Sequence, residues 1–230
     1  MSPRPRHTGA AHRAAGSRTA VATLTVLVGA LLCGHLVAWW VLPVLDGPML
    51  PWVLGRGLGV AAYVSLTAVT ALGLWLRHPW HARWPWPRPA TALPWHAAGA
   101  AVTLVLTAVH ITALALDRYA AVGWTGAAVP GASTYRPTAV ALGTSGLYLG
   151  LLVGVTAVLA GALTGRVWLR LHAAASVCFL LVWTHGILAG SDVHALRALY
   201  VATGALVLAL AVSRRLARSP LVPVPPEGQP

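Results

Sequence analysis

Four histidines fall inside runs apolar enough to lie in lipid, where a polar or ionisable side chain is expensive and by default marks function. The stretch HAAGAAVTLVLTAVH (96–110) holds His96 and His110 with thirteen residues between them, and HAAASVCFLLVWTH (172–185) holds His172 and His185 with twelve between. At about 1.5 Å per residue the two pairs stand about 21 Å and about 20 Å apart along a helix. On two helices that run in the same direction they match in depth, His96 with His172 at one level and His110 with His185 at the other. One intramembrane histidine can be a packing residue bonded to a backbone carbonyl, but four at two matched depths ask for more. Paired neutral imidazoles on facing helices suit the axial ligation of haem iron, with the apolar residues between them holding a macrocycle. Zinc suits them less well, because each level offers two ligands and no nearby carboxylate or cysteine completes a tetrahedral set. A proton relay would lack the acids that usually accompany it.

One detail resists ideal geometry. At about 100° per residue His96 and His110 are offset by about 40°, nearly one face, whereas His172 and His185 are offset by about 140°. The segment carrying His172 and His185 is therefore expected to contain a local irregularity, or to hold its two groups at different azimuths.

The other six histidines need no special account. His7 and His12 lie in a basic N-terminal tail, His78 and His81 in an expected surface loop, and His194 just outside the apolar region. His35, alone in its apolar run, reads as a packed or hydrogen-bonded residue.

The elements that must position these residues follow from composition. The 230 residues are 57% hydrophobic and 9% charged, which excludes an ordinary soluble domain. Six apolar runs, near 19–42, 57–76, 94–116, 139–163, 168–189 and 195–213, are each about twenty residues long or longer, enough to cross a hydrocarbon core about 30 Å thick. The expected fold is all-α, an integral membrane bundle of six transmembrane helices. The charge of +12 comes from sixteen arginines and no lysine against Asp46, Asp117, Asp192 and Glu227. In a soluble chain that excess would suggest nucleic acid, but its distribution fits a membrane better. Twelve arginines, in 1–18, 77–88, 166–170 and 214–218, fall on one side of the six spans; Arg56, Arg118, Arg136 and Arg197 fall on the other with three of the acids. By the positive-inside rule both termini are cytoplasmic. A secretory signal peptide is the competing reading of the N-terminus, but the apolar run is long for one and no small-residue cleavage site stands out.

The expected organisation is a basic cytoplasmic tail over 1–18, the helical domain over 19–213, and a basic then proline-rich disordered tail over 214–230. Between the second and third spans, Trp80, Trp84 and Trp86 alternate with Pro79, Pro85, Pro87 and Pro89; tryptophan and arginine suit the headgroup layer, and the prolines stop helix continuation. The loop at about 117–138 carries no catalytic constellation. Cys33 and Cys178 follow no metal-ligand spacing and read as buried packing residues. Gly146, Gly150 and Gly154 make a stripe on one face of the fourth span, open to either a close helix partner or the edge of a flat ligand. No G-x-G-x-x-G or P-loop pattern occurs where a strand would lead into a helix, so no FAD or NAD(P) site is expected within the chain.

The H-x13-H and H-x12-H pairs on the third and fifth of six spans resemble the ferric reductase-like transmembrane domain, the family that includes NADPH oxidases, ferric reductases and the haem-bearing membrane subunits of bacterial methionine sulfoxide reductase systems. The resemblance covers about residues 50–213. It implies two haems b, His96 and His172 ligating the iron of the inner one and His110 and His185 that of the outer one. It further implies that Arg56, in LGRGLG at the outer start of the second span, lies beside the outer haem, where a cation can pair with a propionate; as a headgroup arginine it would need no such partner. Arg166 and Arg170 stand where inner propionates would lie, although the positive-inside pattern already accounts for them. Many members continue into a cytoplasmic flavin and nicotinamide domain, and this sequence shows none.

The resulting expectation is a multi-pass protein of the cell (plasma) membrane that passes electrons from a cytoplasmic or membrane donor to an external acceptor. The donor is expected to be a separate flavoprotein or a quinol, and the chain an oxidoreductase component without its own flavin or NAD(P)H domain; lipid is a partner and nucleic acid is not. A haem subunit of a periplasmic repair reductase is the alternative within redox chemistry. A non-haem transporter or scaffold with structural histidines is the alternative from another class.

Overall fold

The computed structural model describes residues 21, 24–25, 28–36, 38–40, 42–43, 47–161 and 165–217. The basic tail over 1–18, the start of the first apolar run and the proline-rich residues from 218 onward lie outside them. Among the described residues every regular element is helical: α1 (Val28–Trp40), α2 (Leu50–Leu76), α3 (Pro89–Leu116), α4 (Gly123–Ala128), α5 (Pro137–Val158), α6 (Gly165–His172), α7 (Ala175–Ala189) and α8 (Arg197–Leu216). Five helical stretches are long and apolar enough to cross a membrane, namely α2, α3, α5, α6 with α7 taken together (Gly165–Ala189), and α8.

Proline sets where three of these begin. Pro51, Pro89 and Pro137 sit in the first turns of α2, α3 and α5, positions where an amide N–H would have no intrahelical acceptor. Pro94, inside α3, removes a hydrogen bond only one turn further in. The helices carry their large apolar side chains outward as well as inward: Val64, Val102, Leu152, Leu180 and Leu208 are all exposed. In water such surfaces would drive association; in lipid they are the outer wall of a bundle.

Packing is tightest in two antiparallel pairs, α2 with α3 and α5 with α7, and α8 lies across α2 and α7. Small residues allow the close approach. A Cβ on Gly99 would lie 2.7 Å from Val69 of α2, one on Gly55 2.8 Å from Leu114 of α3, and one on Gly146 2.9 Å from Val182 of α7. Ser65 and Thr103 join α2 to α3 through a 2.8 Å hydrogen bond. Tyr63 bonds Thr203 of α8, and the Trp183 indole donates to Tyr200 O at 2.9 Å. On the other flank α1 lies against α3, where His35 bonds Thr112 Oγ1 at 3.1 Å, a structural use of that histidine.

Several sequence expectations change here. The fifth span is not one helix; it breaks into α6 and α7 at Ala173 and Ala174. α8 runs on to Leu216, so Arg214 and Arg215 complete its last turn and do not begin a tail. Cys33 is exposed, while Cys178 is buried, its thiol donating to Gly146 O at 3.2 Å. His78 and His81 are 3% and 7% exposed, so the loop that carries them is folded onto the bundle.

Candidate functional site

The two tight helix pairs do not close on each other. Between them runs a cavity of about 1390 Å³ that takes in all four paired histidines. Single small-ligand sites measure about 300–1,000 Å³, and packed interiors leave few voids larger than a water molecule. A cavity of this size has room for a ligand.

Its histidines meet in the expected combinations. The rings of His96 and His172 lie 6.2 Å apart, centre to centre, with planes at 60°; those of His110 and His185 lie 6.4 Å apart at 78°. Two imidazoles binding one metal ion from opposite sides, each through a bond of about 2 Å from a nitrogen about 1 Å off its ring centre, stand about 6 Å apart. Among the described residues no group of three or more His, Cys, Asp or Glu converges, so each level offers two imidazoles and no third ligand of these types.

The rings of His110 and His185 are gripped from behind by a neighbouring helix. His110 Nδ1 donates to Gly55 O at 2.6 Å, and a Cβ on Gly59, one turn further along α2, would lie 2.7 Å from the same nitrogen. His185 repeats the arrangement on α5, with Nδ1 donating to Ala139 O at 2.7 Å and Gly143 in the role of Gly59, its Cβ again 2.7 Å from the ring. Carbonyl oxygens only accept, so Nδ1 carries the proton and Nε2 keeps its lone pair. A backbone carbonyl behind the ring, with the other nitrogen free, is the usual outer support of a metal-binding histidine. At the inner level His96 faces Val69 O and His172 faces Val153 O, but both Nδ1 atoms are buried beyond hydrogen-bond geometry. Gly73, four residues after Val69, meets His96 with its Cβ position at 3.0 Å; Ala157 occupies the matching place after Val153. Trp168 stacks on His172, centres 5.4 Å apart and planes at 25°.

The α6–α7 break resolves the twelve-residue spacing. Across it, Ala174, Ser176 and Val177 donate to the carbonyls three residues earlier, Leu171, Ala173 and Ala174. A residue wound this way rises about 2.0 Å and turns about 120°, against about 1.5 Å and 100° in an α-helix. Three such residues add about 1.5 Å, the rise of the one residue by which H-x12-H is shorter than H-x13-H. They also recover about 60° of the 140° offset.

Arg56 lines the outer mouth, paired with Asp192 and with its guanidinium carbon 5.3 Å from the Trp52 ring centre. Arg77 and Arg214 line the opposite end, whereas Arg166 and Arg170 are exposed on α6 and do not line the cavity. The glycine stripe of α5 divides its roles: Gly146 and Gly150 are met by Val182 and Cys178 of α7, and all three glycines border the cavity. The grips leave a signal in the sequence that the histidine spacings alone do not show. Gly59 and Gly73 have thirteen residues between them, the spacing of His96 and His110 on the antiparallel partner helix.

Fold and site together define an all-helical, membrane-type bundle with two stacked histidine pairs in one internal cavity. No family model, curated protein or solved structure matches the chain.

Proposed function

We propose that this chain is a di-haem b transmembrane electron-transfer protein of the cell membrane, carrying electrons from a cytoplasmic or membrane donor to an acceptor outside. The observation that carries this reading is the facing of two imidazoles at each level, with the Nδ1 protons of His110 and His185 turned toward backbone carbonyls so that their Nε2 atoms keep a lone pair for a metal. His110 and His185 hold the outer group and His96 and His172 the inner one, ring orientation at the outer level being set by Gly55 O and Ala139 O.

Haem supplies reversible one-electron chemistry at iron when it is bound. The chain does the rest. Two imidazoles at each level would leave a porphyrin-bound iron no open position, which would make the transfer outer-sphere. Arg56 at the outer mouth and Arg77 and Arg214 at the inner end are cations suited to carboxylate side groups. The two levels, about 21 Å apart, divide the crossing into two shorter steps. Counting the apolar run near 19–42 as a sixth span, the arginine distribution supports a topology with both termini in the cytoplasm. An inside-negative potential then favours full outward transfer by about 2.3 kcal/mol per electron per 100 mV. A flavoprotein or a quinol fits as donor to the inner level.

The test is a haem assay and redox titration on the purified full chain. Two haems per chain with a reducible low-spin spectrum are expected; a colourless preparation, or one that cannot be reconstituted with haem, would sink the proposal.

A further inference from the structure

The loop joining α2 to α3, residues 77–88, is held in shape by its own histidines. His78 Nδ1 accepts from the Trp80 backbone N–H at 3.1 Å, which leaves the ring proton on Nε2 to donate to Ser213 Oγ of α8 at 3.1 Å. His81 Nε2 donates to Pro87 O at 3.1 Å, and the Trp75 indole donates to Trp86 O at 2.9 Å. These bonds hold open a surface slot of about 370 Å³ lined by Trp75, Trp84, Trp86 and Pro87.

The slot's rim has an unusual chemistry. Trp84 and Trp86 are 73% and 71% exposed, and Arg83 and Arg88 beside them are exposed too. From 77 to 94 there are three arginines and no acid. The loop joins the ends of two helices long enough to cross a membrane, so it lies at the depth of lipid headgroups. Indole rings favour that layer, and a guanidinium matches a phosphate with two parallel hydrogen bonds.

We propose that this slot is a binding site for an acidic phospholipid, its upper acyl chains lying among the indoles and its phosphate between Arg83 and Arg88. The site is independent of the histidine levels, and its test needs no haem. A lipid is favoured over an acidic protein partner because the rim is tryptophan-rich at headgroup depth, where lipid is always at high local concentration.

The test uses the full chain in nanodiscs of phosphatidylcholine alone and with one-fifth phosphatidylglycerol, followed by native mass spectrometry of retained lipid. Phosphatidylglycerol is expected to be retained over phosphatidylcholine by about fivefold for each arginine engaged, as the attraction of one basic residue to an acidic leaflet implies. R83Q/R88Q should abolish the preference while leaving the thermal melting of the bundle unchanged. Brominated phosphatidylglycerol should quench wild-type tryptophan fluorescence more than brominated phosphatidylcholine does, and W84F/W86F should reduce the difference. Equal retention of both lipids overturns the proposal, as does a preference untouched by R83Q/R88Q. Binding of a poly-glutamate peptide to the rim without any lipid preference overturns it in favour of an acidic protein partner.

Discussion

The two histidine levels use the same plan with unequal firmness. At the outer level both rings donate to a carbonyl, at 2.6 and 2.7 Å, and a glycine one turn beyond each acceptor lets the Nδ1 edge of the ring come close to the helix. At the inner level the rings face the corresponding carbonyls without a well-formed hydrogen bond, Ala157 stands where a glycine would complete the pattern, and His172 stacks on Trp168. For His172 the chain path differs as well. His172 closes α6 immediately before the overwound turn, and that turn brings the two helices into matching depth without placing the inner ring against its carbonyl. The winding that lets twelve residues do the work of thirteen is localised at the inner end, and the looser grip is found there.

The largest test of this contrast removes a ligand. On the proposed di-haem reading, His110→Ala or His185→Ala should eliminate one of two haems per chain and leave the inner one reducible, as a haem-to-protein ratio and the remaining absorption band would report; two haems surviving unchanged would overturn the pairing. Next come the glycines. Gly59→Ala or Gly143→Ala puts a methyl group about 2.7 Å from a ring nitrogen already tied to a carbonyl, and overpacking of this kind costs about 1–3 kcal/mol. Outer-level haem affinity should fall by about five- to 150-fold, whereas Gly73→Ala, at 3.0 Å from His96, should weaken the inner level less. Haem titration of the apoprotein measures both.

Trp168→Ala probes the inner level alone. Loss of an aromatic stack worth about 0.5–1.5 kcal/mol should weaken inner binding by roughly two- to tenfold and leave the outer level unmoved; an equal effect at both levels would erase the distinction drawn here. The smallest effect is expected at the outer mouth. Arg56 and Asp192 are partly exposed, so Asp192→Asn should change stability by about 1 kcal/mol or less, read as a small shift in thermal melting.

Much of the site was legible before any fold was known. Apolar runs and arginine distribution mark out the helices, and the two histidine spacings mark out levels and partners, because depth along a helix is a matter of counting residues. The break at Ala173 was foreseeable only as a misfit in angle, since HAAAS contains no proline or glycine to mark it. Cys33 and the loop histidines were misjudged because exposure depends on what packs opposite. His78 is buried by a bond to Ser213, 135 residues away in sequence.

The sequence by itself therefore determined that this protein is helical and membrane-type and that its four histidines fall at two depths, since helical rise and hydropathy are local properties. Only the tertiary structure decided which backbone carbonyls hold the outer rings, that the inner rings lack such bonds, and that a single cavity joins the levels. Those depend on the register between helices, which is settled by where glycines allow two backbones to approach.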